Sequence, residues 1–323
     1  MKRADGRGPE DLRKIDLLRS CQRLAAGSAM IRAGHTQILC AATIEGKSPP
    51  FLRGTGKGWV TAEYGMLPAS VPERAARNKI SGRSMEIQRL IGRSLRSVVR
   101  LELLGERTIT IDCDVLDADG GTRTAAITAG YVALREAVDG LLSSGAIAED
   151  PFIDSVAAVS VGRVDGVILL DLCHNEDSRA EVDLNLVATG RGQLIEVQGT
   201  AEHGSFSDHE LSKMVRVGLE GISQIRLLQR RCLESEVQPD GAVWIAGGRP
   251  EERVAEDAGQ TLQTSGTGIK AEPSAKARAT SKAGPNTATI TPTSGSPKSP
   301  GAARKGIGGT SSETSRRPSV GRS

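Results

Sequence analysis

DCDVLDADGGTRTAAIT, residues 112–128, joins a strand pattern to a helix pattern through two glycines. On its entry side Ile109, Ile111 and Cys113 alternate with Thr110, Asp112 and Asp114, which predicts a strand over 107–115. On its exit side Ile127, Tyr131, Leu134, Val138 and Leu141 recur at helical spacing, which predicts a helix over 124–142 with one apolar stripe. Between them lies Asp119-Gly120-Gly121-Thr122-Arg123-Thr124. Paired glycines let backbone approach a ligand closely. Amides at a helix start point at an anion, and the helix dipole favours its charge. Thr122 adds a hydroxyl, and Arg123 adds a forked, permanently charged donor set that suits phosphate. Alone, the motif fits a phosphate loop and a glycine turn closed by a structural salt bridge equally well.

Outward from this stretch the patterning is mixed. Residues 28–33 and 37–44 read as short strands around a turn at Gly34. Residues 156–164, 167–173, 181–188 and 193–198 form a run of strands whose short turns suit antiparallel hairpins. A helix over 83–103 places Ile87, Leu90, Ile91, Leu95 and Val98 on one face and Arg89, Arg93, Arg96 and Arg100 on the other. That arginine stripe fits either contact with RNA or a partner, or a solvated face pairing with Glu86 and nearby acids. A third helix, over 207–231, opens with Ser207 and Glu210 spaced as a capping box. Runs of strands separated by helices, without strict alternation, indicate an α+β fold with helices packed on mixed sheets.

Three further segments carry chemical potential. Ile80-Ser81-Gly82-Arg83-Ser84-Met85-Glu86 is a second glycine–arginine pair at a helix start, and Arg83 with Thr122 and Arg123 makes a plausible anion clamp. In residues 175–185, NEDSRAEVDLN, Asp183 and Asn185 share a strand face, and Asp177 lies in the preceding turn. Two carboxylates beside a phosphate site repel the substrate unless a hard cation such as Mg²⁺ lies between them; an ordinary solvated hairpin has the same sequence character. Residues 51–68 offer Arg53 and Lys57 as backbone contacts, and Phe51, Trp59 and Tyr64 as stacking or core aromatics. Arg74 and Arg77 follow in the next loop.

The net charge of +3 conceals an asymmetry. Residues 248–323 hold 12 Lys/Arg against 6 Asp/Glu, which leaves the rest of the chain slightly acidic. RNA binding there has to rely on local arginine clusters rather than on a broad field. Beyond 248 large apolar residues almost vanish, so residues 1–247 are expected to form the folded domain and 248–323 a disordered basic tail. All seven aromatic residues lie at or before Trp244. The five cysteines contain no C-x-x-C pair, and their odd number, with no apolar leader, suggests reduced thiols and a cytoplasmic setting. No apolar run approaches the ~18 residues of a membrane span.

GWVTAEYGMLP (58–68), SGRSMEIQRLIGRSLR (81–96), DCDVLDADGGTRTAAIT (112–128), AAVSVG (157–162) and EVQGTAE (196–202), in that order, resemble the bacterial ribonuclease PH family, with similarity from Asp5-Gly6-Arg7 to about Gln229. The resemblance implies the ribosomal protein S5 domain 2-like fold and a ring of six subunits. It implies phosphorolysis of tRNA 3′ extensions, and possible action at rRNA ends, with release of nucleoside diphosphates. It assigns phosphate binding to Arg83, Gly121, Thr122 and Arg123, and metal binding and catalysis to Asp177 and Asp183. The sequence departs from the family pattern at Ala69, in a short loop over 74–82, at His174-Asn175 and in the tail. The competing readings are an inactive RNA-binding ring subunit and a hydrolytic metal nuclease.

Overall fold

The computed structural model describes residues 3–77 and 81–235. The tail expected from 248 onward, and the disorder expected of it, lie outside the described residues. The DGGTRT segment joins two elements of the first half. Strand β5 (Thr108–Asp117) leads into it and helix α2 (Thr122–Ser143) leaves it. β5 is an inner strand of a five-stranded sheet ordered β1-β2-β3-β5-β4, with β1 (Ile15–Arg19), β2 (Gly27–Ala33), β3 (Thr36–Glu45) and β4 (Trp59–Met66). Only the β4–β5 pair is parallel. Helix α1 (Gly82–Arg96) is the crossover between those two strands and packs on β4 and α2.

A second sheet, ordered β7-β6-β8-β9, is antiparallel throughout. It comprises β6 (Val156–Val164), β7 (Val167–Leu170), β8 (Val182–Thr189) and β9 (Leu194–Ala201). A one-turn helix α3 (His174–Asp177) links β7 to β8, and α4 (Asp208–Glu234) closes the chain onto β6 and β8. The reciprocal Ser207–Glu210 cap predicted for this helix is present. The fold is therefore the expected α+β arrangement.

Helix α2 packs against β2 and β3 of the first sheet and β6 of the second. Its residues 124–134 are all buried, so the predicted single apolar stripe is only part of the contact. Ala125, Ala126, Ala129, Gly130 and Ala133 fill the remaining faces, and their small size lets both sheets approach the helix backbone. A helix apolar all round belongs in a core. Two main apolar clusters result: one joins the first sheet, α1 and α2, and the other lies between the second sheet and α4. Burying each of Ile87, Ile91, Leu95 and Leu134 contributes about 1.5–3 kcal/mol, and all four are at most 1% exposed.

Three elements differ from the sequence reading. The helix predicted to reach 103 ends at Arg96, because Val99 pairs with Phe152 in an isolated bridge and the Arg100 N–H donates to the Pro151 carbonyl. Strand β4 occupies part of a segment read as glycine-rich turns, and β1 occupies a segment given no element. Among the described residues, no helix is long and apolar enough to cross a membrane.

Candidate active site

The strand-to-helix turn is held open by its glycines. Gly120 (φ 75°) and Gly121 (φ 65°) both lie in the left-handed region. A Cβ on Gly120 would sit 2.6 Å from the Leu172 carbonyl oxygen, and one on Gly121 would sit 2.9 Å from Arg13 Nη2. At Gly120 a larger residue is excluded by both conformation and backbone space, and at Gly121 by the positive φ. Arg13 anchors the turn from behind. Its Nη1 donates to the Asp119 carbonyl at 2.6 Å, and its Nε and Nη2 engage both carboxylate oxygens of Asp171. Asp119 accepts the His174 N–H at 3.1 Å, which fastens the turn to the start of α3.

Thr122 and Arg123 open α2. The Thr122 hydroxyl oxygen accepts from Tyr64 Oη at 2.8 Å. Burial pushes the Tyr64 hydroxyl up, while this bond and the charges of Arg83 and Arg123 pull it down. Arg83 thus reaches the same locality from α1, where it is exposed on the first turn behind the Ser81 cap. Arg83, from the second glycine–arginine motif, and Arg123 thus both act on Tyr64. Tyr64 is buried, so its role is support rather than stacking on a base. Trp59 is likewise engaged, edge-on to Phe51 and beneath the Arg96 guanidinium 4.1 Å away.

The acidic half lies across from the clamp. Asp183, on β8, accepts the Asn185 side-chain N–H at 3.2 Å through Oδ2, while its buried Oδ1 has no hydrogen-bond partner. Burial and the neighbouring Asp177 carboxylate push its pKa up to about 6, and Arg123 and the Asn185 bond pull against that rise. Asp177, at the last position of α3, and Asp183 therefore share one electrostatic environment with Arg123. A buried carboxylate oxygen without a partner, in the field of a second acid, fits an oxygen-liganded cation that completes its shell with water and substrate. No cluster of three His, Cys, Asp or Glu residues suited to a metal occurs among the described residues, so protein ligands alone would not enclose such an ion.

Three supporting groups were missed in the sequence. Gln198, on β9, accepts from Arg123 Nη1 at 2.7 Å and donates to Glu86 Oε1 at 2.6 Å. Its only sequence signal is its place within EVQGTAE (196–202). Arg3, fully buried, grips both carboxylate oxygens of Glu176 at 2.8 and 2.6 Å and so fixes α3 from the N-terminal arm. Arg13 has no local signal at all.

The four predicted RNA contacts divide. Arg74 and Arg77 are exposed in the segment after β4, which lies against the end of β5 through Leu67 and Ser70. They are at the clamp's end of the sheet. Arg53 and Lys57 are exposed before β4, at the end of the strand away from Tyr64. At about 3.3 Å per residue, five strand residues separate Trp59 from Tyr64 by roughly 16 Å. These two side chains are not brought to the clamp.

Residues 11–138 match the model of domain 1 of the 3′ exoribonuclease family, and residues 154–221 match that of domain 2. Ribonuclease PH of Moorella thermoacetica is 54% identical over 237 residues, covering 72% of this chain and 95% of the relative. The chain belongs to the ribonuclease PH family. Ribonuclease PH of Exiguobacterium sibiricum is 52% identical over 246 residues, covering 75% of this chain and 96% of the relative. The fold recurs in the Archaeoglobus fulgidus exosome with RNA bound to the active site, at TM-score 0.59 and 20% identity, over 70% of this chain and 92% of that one. The protein is accordingly a phosphate-dependent 3′→5′ exoribonuclease, with inorganic phosphate as co-substrate.

Proposed function

We propose that Arg83, Gly121, Thr122 and Arg123 hold the attacking phosphate and that Asp177 and Asp183 form the catalytic and Mg²⁺-binding pair of this exoribonuclease. The observation that carries this reading is the partnerless buried oxygen of Asp183, set beside Asp177 and within the field of Arg123. On this reading a site for a cation and a site for an anion adjoin.

Arg83 and Arg123 orient the phosphate by charge-assisted hydrogen bonds. The Thr122 oxygen accepts from Tyr64, so its own proton is free to donate to the anion. The first-turn amides of α2 add donors from the Gly121 side. Held in line, a phosphate oxygen forms a bond to the phosphorus of the last nucleotide as the bond to the penultimate 3′ oxygen breaks. The products are a nucleoside 5′-diphosphate and an RNA shorter by one residue. When bound at Asp177 and Asp183, Mg²⁺ supplies neutralising charge for the transferring phosphoryl oxygens. The protein's part is positioning and preorganised electrostatics. One phosphoryl linkage replaces another, so the reaction also runs toward 3′ addition from nucleoside diphosphates.

The substrate is a single-stranded 3′ end, as in a tRNA precursor or an rRNA terminus, and trimming slows near a stem whose bases stay paired. Arg74 and Arg77 contact its backbone near the clamp, while Arg53 and Lys57 meet the strand farther upstream. The working assembly is a ring of six subunits in the cytoplasm, with 1–247 as the catalytic domain. The test is chromatography of products from a 3′-extended tRNA in Mg²⁺, with and without inorganic phosphate. Nucleoside diphosphates released only with phosphate bear out the reading. Monophosphates in either condition show hydrolysis, and no release shows an inactive RNA-binding subunit; both sink it.

A further inference from the structure

Gln198 stands between two groups of opposite charge. The separation of Arg123 Nη1 from Glu86 Oε1 is 3.9 Å, beyond a hydrogen bond. The Gln198 amide spans it, accepting from that Nη1 at 2.7 Å and donating to that Oε1 at 2.6 Å. Its place is fixed by the sheet: Gln198 pairs with Asn185, two residues along β8 from Asp183. Glu86 lies one turn beyond Arg83 on α1. The side chain therefore ties α1, α2 and β9 together at the clamp.

A carboxylate and a phosphate compete for the same guanidinium fork, because both accept two parallel N–H bonds. A glutamate closed directly onto Arg123 would occupy donors that an incoming phosphate needs. An amide is neutral and both donates and accepts, so it can satisfy each neighbour without bringing charge of its own. We propose that Gln198 is a positioning residue that holds Glu86 off Arg123 and so keeps the guanidinium open to inorganic phosphate. This rests on Arg123 donating hydrogen bonds to the attacking phosphate, as proposed above.

The experiment measures initial rates against phosphate concentration for four variants: Gln198→Ala, Gln198→Glu, the double variant Gln198→Ala/Glu86→Gln, and Arg123→Ala. Gln198 is half-buried on an edge strand, and thermal melts verify that each variant is folded. Removing the amide lets Glu86 close on Arg123, so Gln198→Ala raises the phosphate KM about 10- to 100-fold, the scale of one lost charge-assisted contact, with kcat little changed. Gln198→Glu raises it further by placing a carboxylate directly on Arg123. The double variant recovers most of the lost affinity, because the rival anion is gone. An unchanged KM in Gln198→Ala, or failure of Glu86→Gln to restore it, overturns the inference while a raised KM in Arg123→Ala leaves the clamp standing. An unchanged KM in Arg123→Ala instead removes the clamp itself, and the inference with it.

Discussion

Glu176 and Asp177 are neighbours in α3, yet they face opposite surroundings. Glu176 is buried against Arg3, which takes both of its oxygens, and its oxygen Oε2 also accepts the Cys173 N–H. Burial pushes its pKa up, but the Arg3 bonds and charge with the Cys173 amide outweigh this and hold it below the usual carboxylate range. Asp177 instead acts electrostatically on Asp183, whose own carboxylate is pushed up to about 6 and whose Oδ1 is partnerless. One acid is neutralised by the protein itself. The other pair is offset only in part, by Arg123 and the Asn185 bond, and Asp183 keeps a raised pKa. On the proposed assignment, the difference separates an acid that holds the fold from acids set up for chemistry.

The largest expected effect comes from Asp183→Asn. Loss of one preorganised charge at the reacting centre lowers kcat about 10²–10³-fold. In cation-free buffer at pH 7.5 the same variant melts higher than the parent, since a buried unpaired charge is removed. A lower melting temperature would place Asp183 among the structural acids and erase the contrast.

Arg3→Ala is expected to be of comparable size, but on stability rather than on rate. It removes both short bonds to Glu176 and leaves only Arg7, 3.6 Å away, so urea unfolding shows a loss of about 3–5 kcal/mol. A loss under ~1 kcal/mol would show that the N-terminal arm does not fix α3.

The pH response sharpens the contrast further. Glu176 has a lowered folded pKa, so its stabilisation is fully present above its ordinary 4.5 and is lost as pH falls through the folded value. Asp183 has a raised one, so its ionisation costs stability above about 6, and that cost is gone below 3.8. Between pH 7.5 and 5.0, the gain from Asp183→Asn therefore shrinks while the loss from Glu176→Gln stays nearly constant. Urea midpoints for both variants at the two pH values check this, and parallel behaviour would contradict it. The smallest effect belongs to the exposed Arg93–Glu196 pair. Arg93→Ala changes stability by about 0.2–1 kcal/mol, and a loss as large as that of Arg3→Ala would mean that burial is not what separates these pairs.

Much of this was legible in the sequence, for local reasons. Alternation along 107–115 gave β5, the Ser207–Glu210 spacing gave the start of α4, and paired glycines before Thr-Arg gave the turn that opens α2. β4 was hidden because its alternating Val60, Ala62 and Tyr64 follow the glycine-rich GTGKG run, which has the character of turns. β1 was hidden because IDLLR is half-buried at every position and shows no period of two. The supporting partners were out of reach for a different reason. Gln198 meets Arg123 across 75 residues, and Arg3 meets Glu176 across 173. Such pairings are chosen by tertiary packing, and no spacing within either segment encodes them.

The most direct test of the division between an anion half and a cation half is a steady-state comparison of Arg123→Ala with Asp183→Asn, varying phosphate and Mg²⁺ separately on a 3′-extended RNA. The division predicts that Arg123→Ala raises the phosphate KM and leaves the Mg²⁺ requirement alone, while Asp183→Asn lowers kcat, weakens the response to Mg²⁺ and leaves the phosphate KM nearly unchanged. Identical shifts in both variants would show that the two halves are not separate sites.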